Sequence, residues 1–247
     1  MKIQPKNHYL LTTGNPKILK GQKKGYLTAI LHLSPSTLND THTDLCPNSS
    51  KGCRQACLNT AGRGFFDKRV KAAHRRKAND FISDPENFMI RLVSEIFYYN
   101  RQAQKKGLTL AVRLNGTSDI EWTCIEHEGK TIFEICDMVQ FYDYTKNPSI
   151  VESAGRIQNY HVTFSHSGEN EGLCNILKSV VNIAVPFQVK KGEALPETFY
   201  GLPVIDGDET DLRFLDPKNS IVGLRVKGIK QKKQVNSFII TIDKKVA

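Results

Sequence analysis

The sequence predicts an α/β protein, built as a single domain with an irregular or partial βα barrel of mostly parallel strands. Eight short apolar runs lack strict alternation, as strands buried on both faces do, and helical or ambiguous segments separate several of them. Polar clusters follow the ends of most of these runs. Because the carboxyl ends of parallel strands share one face, we expect these clusters to form a common site there.

The expected strands are short and rich in apolar residues. They cover residues 27–33, 108–114, 138–142, 160–164, 180–187, 203–205, 221–226 and 237–242. The later strands follow one another at about 20 residues, whereas a full βαβ unit needs about 30, and this favours an irregular barrel over a regular eightfold one. We expect a basic N-terminal segment over residues 1–25, a barrel-like core over 26–228, and a basic C-terminal segment with the last strand over 229–247.

The strongest helix is predicted over residues 83–106. Ser83 and Glu86 have the spacing of a capping box, and Pro85 suits the first turn. Apolar residues then recur at helical spacing, and Gly107 marks the end.

The charge balance favours an acidic partner. Lysine plus arginine outnumber aspartate plus glutamate by 35 to 25, a net charge of +10. Residues 1–25 contain six lysines and no acid, and residues 51–77 contain nine basic residues and one acid. A second helix is expected over residues 67–81, and its basic face is the candidate surface for nucleic acid or a nucleotide. That face carries Lys68, Lys71, Arg75 and Arg76.

The N-terminal residues show no apolar run followed by a small-residue cleavage site, so no signal peptide is expected. No stretch approaches 18 apolar residues, which predicts no membrane span and no membrane partner. We therefore expect a cytoplasmic protein whose cysteines are not a disulfide framework.

A loop after the first strand contains three cysteines, Cys46, Cys53 and Cys57, with the spacing C-x6-C-x3-C. Thiolates are the preferred ligands of iron–sulfur clusters and of zinc, so the loop is a candidate metal site. A closed zinc site needs a fourth ligand, for which His42 and His74 are candidates. Three unrelated cysteines remain the alternative. The other cysteines are expected to be buried thiols; they are Cys124, Cys136 and Cys174.

A three-cysteine loop directly after a first buried strand, in a chain of βα repeats, resembles the radical S-adenosylmethionine superfamily. The resemblance implies a [4Fe–4S] cluster on Cys46, Cys53 and Cys57, and S-adenosylmethionine as cofactor. It also implies that the polar ends of the second and fourth strands contact the cofactor. The matching residues are Asn115, Gly116, Thr117, Ser118, Asp119, Ser165, Ser167 and Asn170. The loop departs from the superfamily spacing of C-x3-C-x2-C.

Nearly the whole chain also resembles a family of phage-encoded proteins of unassigned function, which would place it in the cytoplasm of the host. The matching stretches are LCPNSSKGCRQACLNTAGRG, VRLNGTSDIEW, VQFYDYTKNP, NYHVTFSHSGEN and VIDGDETDLRFLDP.

Four further residues at expected strand ends are candidate catalytic groups: Asp143, Lys146, Asp206 and Asp208. The aspartates could serve as general bases or nucleophiles.

Three functions follow from these features. The first is an iron–sulfur, radical S-adenosylmethionine-like enzyme that acts on a nucleic acid or nucleotide. The second is a zinc enzyme that modifies nucleobases by base exchange, with Asp206 or Asp143 as nucleophile. The third is a non-enzymatic nucleic-acid-binding phage protein with a structural metal at the cysteines.

Overall fold

The computed structural model describes residues 9–14, 16–57, 67–189, 193–226 and 237–242. Parts of the predicted basic N-terminal and C-terminal segments lie outside these residues. The strands are β1 Leu11–Thr12, β2 Tyr26–Leu31, β3 Thr109–Arg113, β4 Glu126–His127, β5 Lys130–Thr131, β6 Gln140–Thr145, β7 Tyr160–Ser165, β8 Ile183–Gln188, β9 Thr198–Phe199, β10 Leu202–Asp206, β11 Ile221–Arg225 and β12 Ile240–Thr241. The helices are α1 Pro16–Gln22, α2 Lys51–Gln55, α3 Lys68–Ser83, α4 Pro85–Gln104, α5 Ile132–Ile135, α6 Pro148–Ala154 and α7 Glu171–Leu177.

One sheet organises the molecule, in the order β1-β2-β3-β6-β7-β8-β11-β10-β9. The strands from β2 to β10 in this order pair in parallel, while β1 and β9 pair antiparallel with β2 and β10 at the two ends. The α/β class and the mostly parallel strands are therefore confirmed. Within the described residues the sheet is an open path, and its two ends do not pair with each other.

Helix α4 packs one apolar face against the sheet, burying Met89, Leu92 and Ile96. Each such side chain contributes about 2 kcal/mol by leaving water. The predicted cap at Ser83 is wrong by one residue, because Ser83 ends α3. The side chain of Asp84 caps α4 instead and accepts a hydrogen bond from the Asn87 N–H at 3.1 Å.

Both faces of the sheet are covered, as expected for a buried parallel sheet. The main core lies on the helix side, where Leu110, Val112 and Phe141 are fully buried. On the other face Ala111 and Tyr142 form a smaller cluster with Leu212, and the short helical turn Arg213–Leu215 contacts β6 and β7. The chain after β10 thus crosses that face.

Three strand expectations need correction at their ends. The third strand was expected over residues 138–142 but is Gln140–Thr145, so Asp143 belongs to the strand and not to the loop after it. Similarly, Ser165 and Asp206 are the last residues of β7 and β10. The carboxylates of Asp143 and Asp206 are accommodated in these strands because each accepts hydrogen bonds from neighbouring residues.

Candidate functional site

A cavity of about 260 Å³ opens at the carboxyl ends of the parallel strands. Its walls come from the loops after β2, β3 and β6, from the ends of β7, β8 and β11, from the turn after β10, and from the residues around β12. Eleven of the predicted site residues line it. They are Cys46, Cys53, Cys57, Asn115, Gly116, Thr117, Ser118, Asp119, Lys146, Ser165 and Asp208.

The cysteine loop is held in shape by its own polar groups. Arg54 donates to Asp44 at 2.8 Å, to Ser36 Oγ at 2.7 Å and to Ser49 Oγ at 2.9 Å. Ser50 caps the short helix α2 through the Cys53 N–H at 3.1 Å. The three thiols are therefore presented from one ordered loop.

Cys46, like the other two thiols of the loop, is partly buried. Its Sγ accepts the Ser36 N–H at 3.4 Å and lies 3.6 Å from the carbonyl oxygen of Thr117. Burial raises the pKa of Cys46 to about 12, and the neighbouring Cys57 acts in the same direction. With this pKa, Cys46 is a neutral thiol near neutral pH.

Lys146 brings a buried ammonium group to the cysteines. Burial alone would lower the pKa of Lys146, but Cys53, which accepts a hydrogen bond from it, and the carboxylate of Asp119 outweigh burial and raise that pKa. Asp119 is itself fixed by the Thr145 hydroxyl at 2.7 Å and by the Lys146 N–H at 3.0 Å. Burial raises the pKa of Asp119, and the nearby Lys146 opposes that shift.

The loop after β3 is built around the side chain of Asn115. Its Oδ1 accepts hydrogen bonds from Ser118 Oγ at 2.9 Å, the Ile120 N–H at 3.0 Å and Trp122 Nε1 at 3.2 Å. Gly116 lies so close to β2 that a Cβ there would stand 2.5 Å from the Leu31 carbonyl oxygen. These contacts bring the loop against the end of β2, and they commit the Asn115 side chain to structure.

The floor of the cavity contains residues that the strand-end pattern does not single out. Arg113 donates to Asp211 at 3.3 Å and lies over the ring of Tyr144 at 4.6 Å. Tyr142 also donates its hydroxyl to Asp211 at 3.1 Å. The sequence signal for this floor is an arginine inside an apolar strand run.

Asp206 and Asp208 both accept hydrogen bonds from Arg225, but they differ in whether they line the cavity. Arg225 donates to Asp206 at 2.7 Å, and the Arg225 N–H donates to Asp208 at 3.1 Å. Asp208 lines the cavity and Asp206 does not.

Asp143 also lies away from the cavity, on the helix side of the sheet. Successive side chains of a strand point to opposite faces, and its neighbours Tyr142 and Tyr144 face the other way. Asp143 is fully buried, accepting the Asn115 N–H at 2.6 Å and the Tyr160 hydroxyl at 3.3 Å. Burial raises the pKa of Asp143 to about 7.

Ser167 and Asn170 shape the loop after β7 without lining the cavity. Asn170 accepts the Ser167 N–H at 2.7 Å and donates to the Ser165 carbonyl at 3.0 Å. The Ser167 carbonyl in turn accepts the hydroxyl of Ser50 at 2.6 Å, which ties this loop to the cysteine loop.

The candidate fourth zinc ligands do not line the cavity. His42 is exposed, and His74 stacks on His32 with ring centres 5.3 Å apart. Among the described residues, no three His, Cys, Asp or Glu side chains form a ready set of metal ligands. Of the remaining cysteines, Cys136 and Cys174 are buried as predicted, but Cys124 is exposed, because it ends a surface helical turn.

The four basic residues of α3 that were predicted to bind nucleic acid lie outside the cavity, on the protein surface. All four are exposed, and Arg75 pairs with Asp40. These residues are Lys68, Lys71, Arg75 and Arg76.

In the part of the chain that the structure describes, no helix is long and apolar enough to cross a membrane. Neither the curated proteins nor the solved structures give a match to this chain. The model of one phage-type family, described as Gene product 88, matches residues 9–241. That match covers most of the sequence and confirms the resemblance to phage-encoded proteins. The chain therefore belongs to the Gene product 88 family.

Proposed function

We propose that this protein is an enzyme whose active site is the cavity at the strand ends, with an iron–sulfur cluster on Cys46, Cys53 and Cys57 and with S-adenosylmethionine as cofactor. One observation carries the proposal. The three thiols of one loop line the same cavity as the polar end of β3 and the ammonium group of Lys146. We further propose that the open parallel sheet is a partial barrel around this cavity.

The donor set fits such a cluster. Three thiolates are soft ligands suited to iron, and they leave one iron of a [4Fe–4S] cube open to a small molecule. The buried ammonium of Lys146 would offset the negative charge of the thiolates. Arg54 would hold the loop in its ligating shape through its bonds to Asp44 and Ser36.

When bound, the cluster and S-adenosylmethionine would supply radical chemistry, while the protein binds and orients the reactants. The carboxylate of Asp119 and the hydroxyl of Ser118 would accept hydrogen bonds from the methionyl amine. Ser165 is the β7 residue left to meet the ribose, because Ser167 and Asn170 are engaged in the loop. Lys146 and Asp208 are charged groups of the cavity lining that would face a substrate.

A nucleic acid or nucleotide is the proposed substrate. The net charge of +10 and the exposed basic residues of α3 support this class. Binding should weaken steeply with salt, because bound lysines and arginines release condensed counterions.

Charge reversal tests the substrate class. Lys68, Lys71 and Arg75 are changed together to glutamate, and Lys105, Lys106 and Lys130, also exposed, serve as a control of equal charge change. The α3 variant should lose affinity for an oligonucleotide in a fluorescence anisotropy titration, and the control should lose much less. Equal losses, or no binding by the wild type at about 50 mM salt, would remove nucleic acid as the partner.

Iron and acid-labile sulfide analysis of anaerobically purified protein tests the cluster itself. Alanine at any one of Cys46, Cys53 and Cys57 should abolish the bound iron and sulfide, whereas Cys124→Ala should retain both. Full retention in the three loop variants would overturn the proposal. Zinc without sulfide would favour the zinc enzyme, although Asp143 and Asp206, its expected nucleophiles, do not line the cavity.

A further inference from the structure

Residues 237–242 form one side of the cavity. Phe238 and Ile239 line it, and Lys146 Nζ lies 5.8 Å from the centre of the Phe238 ring. Lys146 also contacts Cys53. The Phe238 ring therefore covers the buried ammonium that adjoins the cysteines.

The segment docks where two strands of the sheet separate. The pairing of β7 with β8 ends at Ser165 and Ala184. Farther along β8, Phe187 and Gln188 pair in parallel with β12. The short strand β12 thus occupies the edge of β8 that β7 has left.

A buried histidine holds the start of the segment. His166 Nε2 lies 3.1 Å from the carbonyl oxygen of Ser237, and His166 Nδ1 lies 3.3 Å from the Tyr200 hydroxyl. Since a carbonyl only accepts, Nε2 carries the proton and Nδ1 accepts from Tyr200.

A glycine leaves room for the segment. Gly168 has a φ of +81°, and a Cβ there would lie 2.3 Å from the Ser237 carbonyl carbon and 2.5 Å from the Phe238 nitrogen. Any side chain at position 168 is incompatible with the docked backbone.

We infer that residues 237–242 are a movable wall, which narrows the cavity and covers Lys146 when docked and undocks to admit a ligand. Two paired strand residues and a few side-chain contacts hold the wall. Such an element opens at a smaller free-energy cost than the core of the sheet. The inference does not depend on what the cysteines bind.

Thiol labelling of the full chain, free of metal and in the reduced state, tests this wall. Protein is treated with iodoacetamide for graded times, and the modification of each cysteine is measured by peptide mass spectrometry. Gly168→Ala should raise the labelling rate of Cys53 on the order of tenfold, because the wall then spends more time undocked. Gly129→Ala is the matched control, since its φ of +71° is similar and nothing lies within 4 Å of its Cβ position.

Two other cysteines calibrate the measurement. Exposed Cys124 should react at one rate in every variant, and buried Cys136 reports global unfolding. If Gly168→Ala also raises the labelling rate of Cys136, the test rests on the Cys53 labelling rate in Phe238→Ala, because this variant removes the ring without disturbing the loop backbone. A Cys53 rate that stays at the wild-type value in Phe238→Ala, or in a folded Gly168→Ala, would overturn the inference.

Discussion

Asp143→Asn should make the stability of the protein less sensitive to alkaline pH. Burial raises the pKa of Asp143 from 3.8 to about 7, so the folded protein holds this proton more tightly than the unfolded chain does. The contribution to stability is complete below the unfolded pKa and is lost as the pH rises through the folded pKa. Asparagine is neutral throughout, and its carbonyl oxygen can still accept the Asn115 N–H.

The magnitude follows from the two pKa values. A carboxyl with those values loses about 2.5 kcal/mol of folding free energy between pH 5 and pH 8. The free energy of unfolding of the variant, minus that of the wild type, should therefore be about 2.5 kcal/mol larger at pH 8 than at pH 5, which means that the variant gains relative stability as the pH rises.

Urea unfolding at the two pH values measures this difference, with the fluorescence of the single tryptophan, Trp122, as the signal; that side chain is fully buried. Asp137→Asn, at an exposed position, removes the same charge and should show no such difference. A stability difference between Asp143→Asn and wild type that is equal at both pH values would refute the reasoning. If the variant were the less stable of the two mainly at pH 8, the hydrogen bonds to Asp143 would be favouring its ionised form.

Two further substitutions test the close packing of Gly116 and the burial of His32. Gly116→Ala should lower the free energy of unfolding by about 3 kcal/mol, because its methyl group would overlap the Leu31 carbonyl oxygen. In urea unfolding the α7 control Gly172→Ala, with nothing within 4 Å, should lose nothing, and equal effects would contradict the close approach. His32→Phe should resist acid better than the wild type: burial lowers the pKa of His32 to about 3, so stability is complete above the unfolded value of 6.5 and is lost as the pH falls through the folded value. The acid-unfolding midpoint should therefore move to lower pH, and an unchanged midpoint would show that His32 is not an acid-sensitive group.

Much of the fold could be predicted from the sequence, because its strands carry apolar residues on both faces. All eight expected runs contain strand in the structure, and the two long helices are found within about two residues of their expected ends. The error at Ser83 has a local cause, since two adjacent residues can each cap a helix and only the backbone decides between them. The alternation of Asp143 with two tyrosines was a usable sign that it faces away from them.

Other features depend on contacts between distant parts of the chain. The exchanged order of β10 and β11 leaves no trace in the spacing of apolar runs, because that spacing does not determine which strands pair with each other. The role of Asp211 on the cavity floor depends on Arg113, which lies 98 residues earlier. The docking of Phe238 over Lys146 likewise depends on the folded sheet. The sequence alone therefore does not show that these two residues are in contact.

The place of β11 between β8 and β10 has a consequence for how the chain folds as it is synthesised. The strands from β2 to β8 pair mostly with their sequence neighbours, so this half of the sheet can form early. Until Arg225 has left the ribosome, β8 and β10 each present an open edge that invites pairing with another chain. A chain that stops before Ile221 should therefore aggregate, whereas one that stops just after Arg225 keeps every strand of this sheet except β12. We therefore expect the insertion of β11, which joins the two halves, to be a late step of folding.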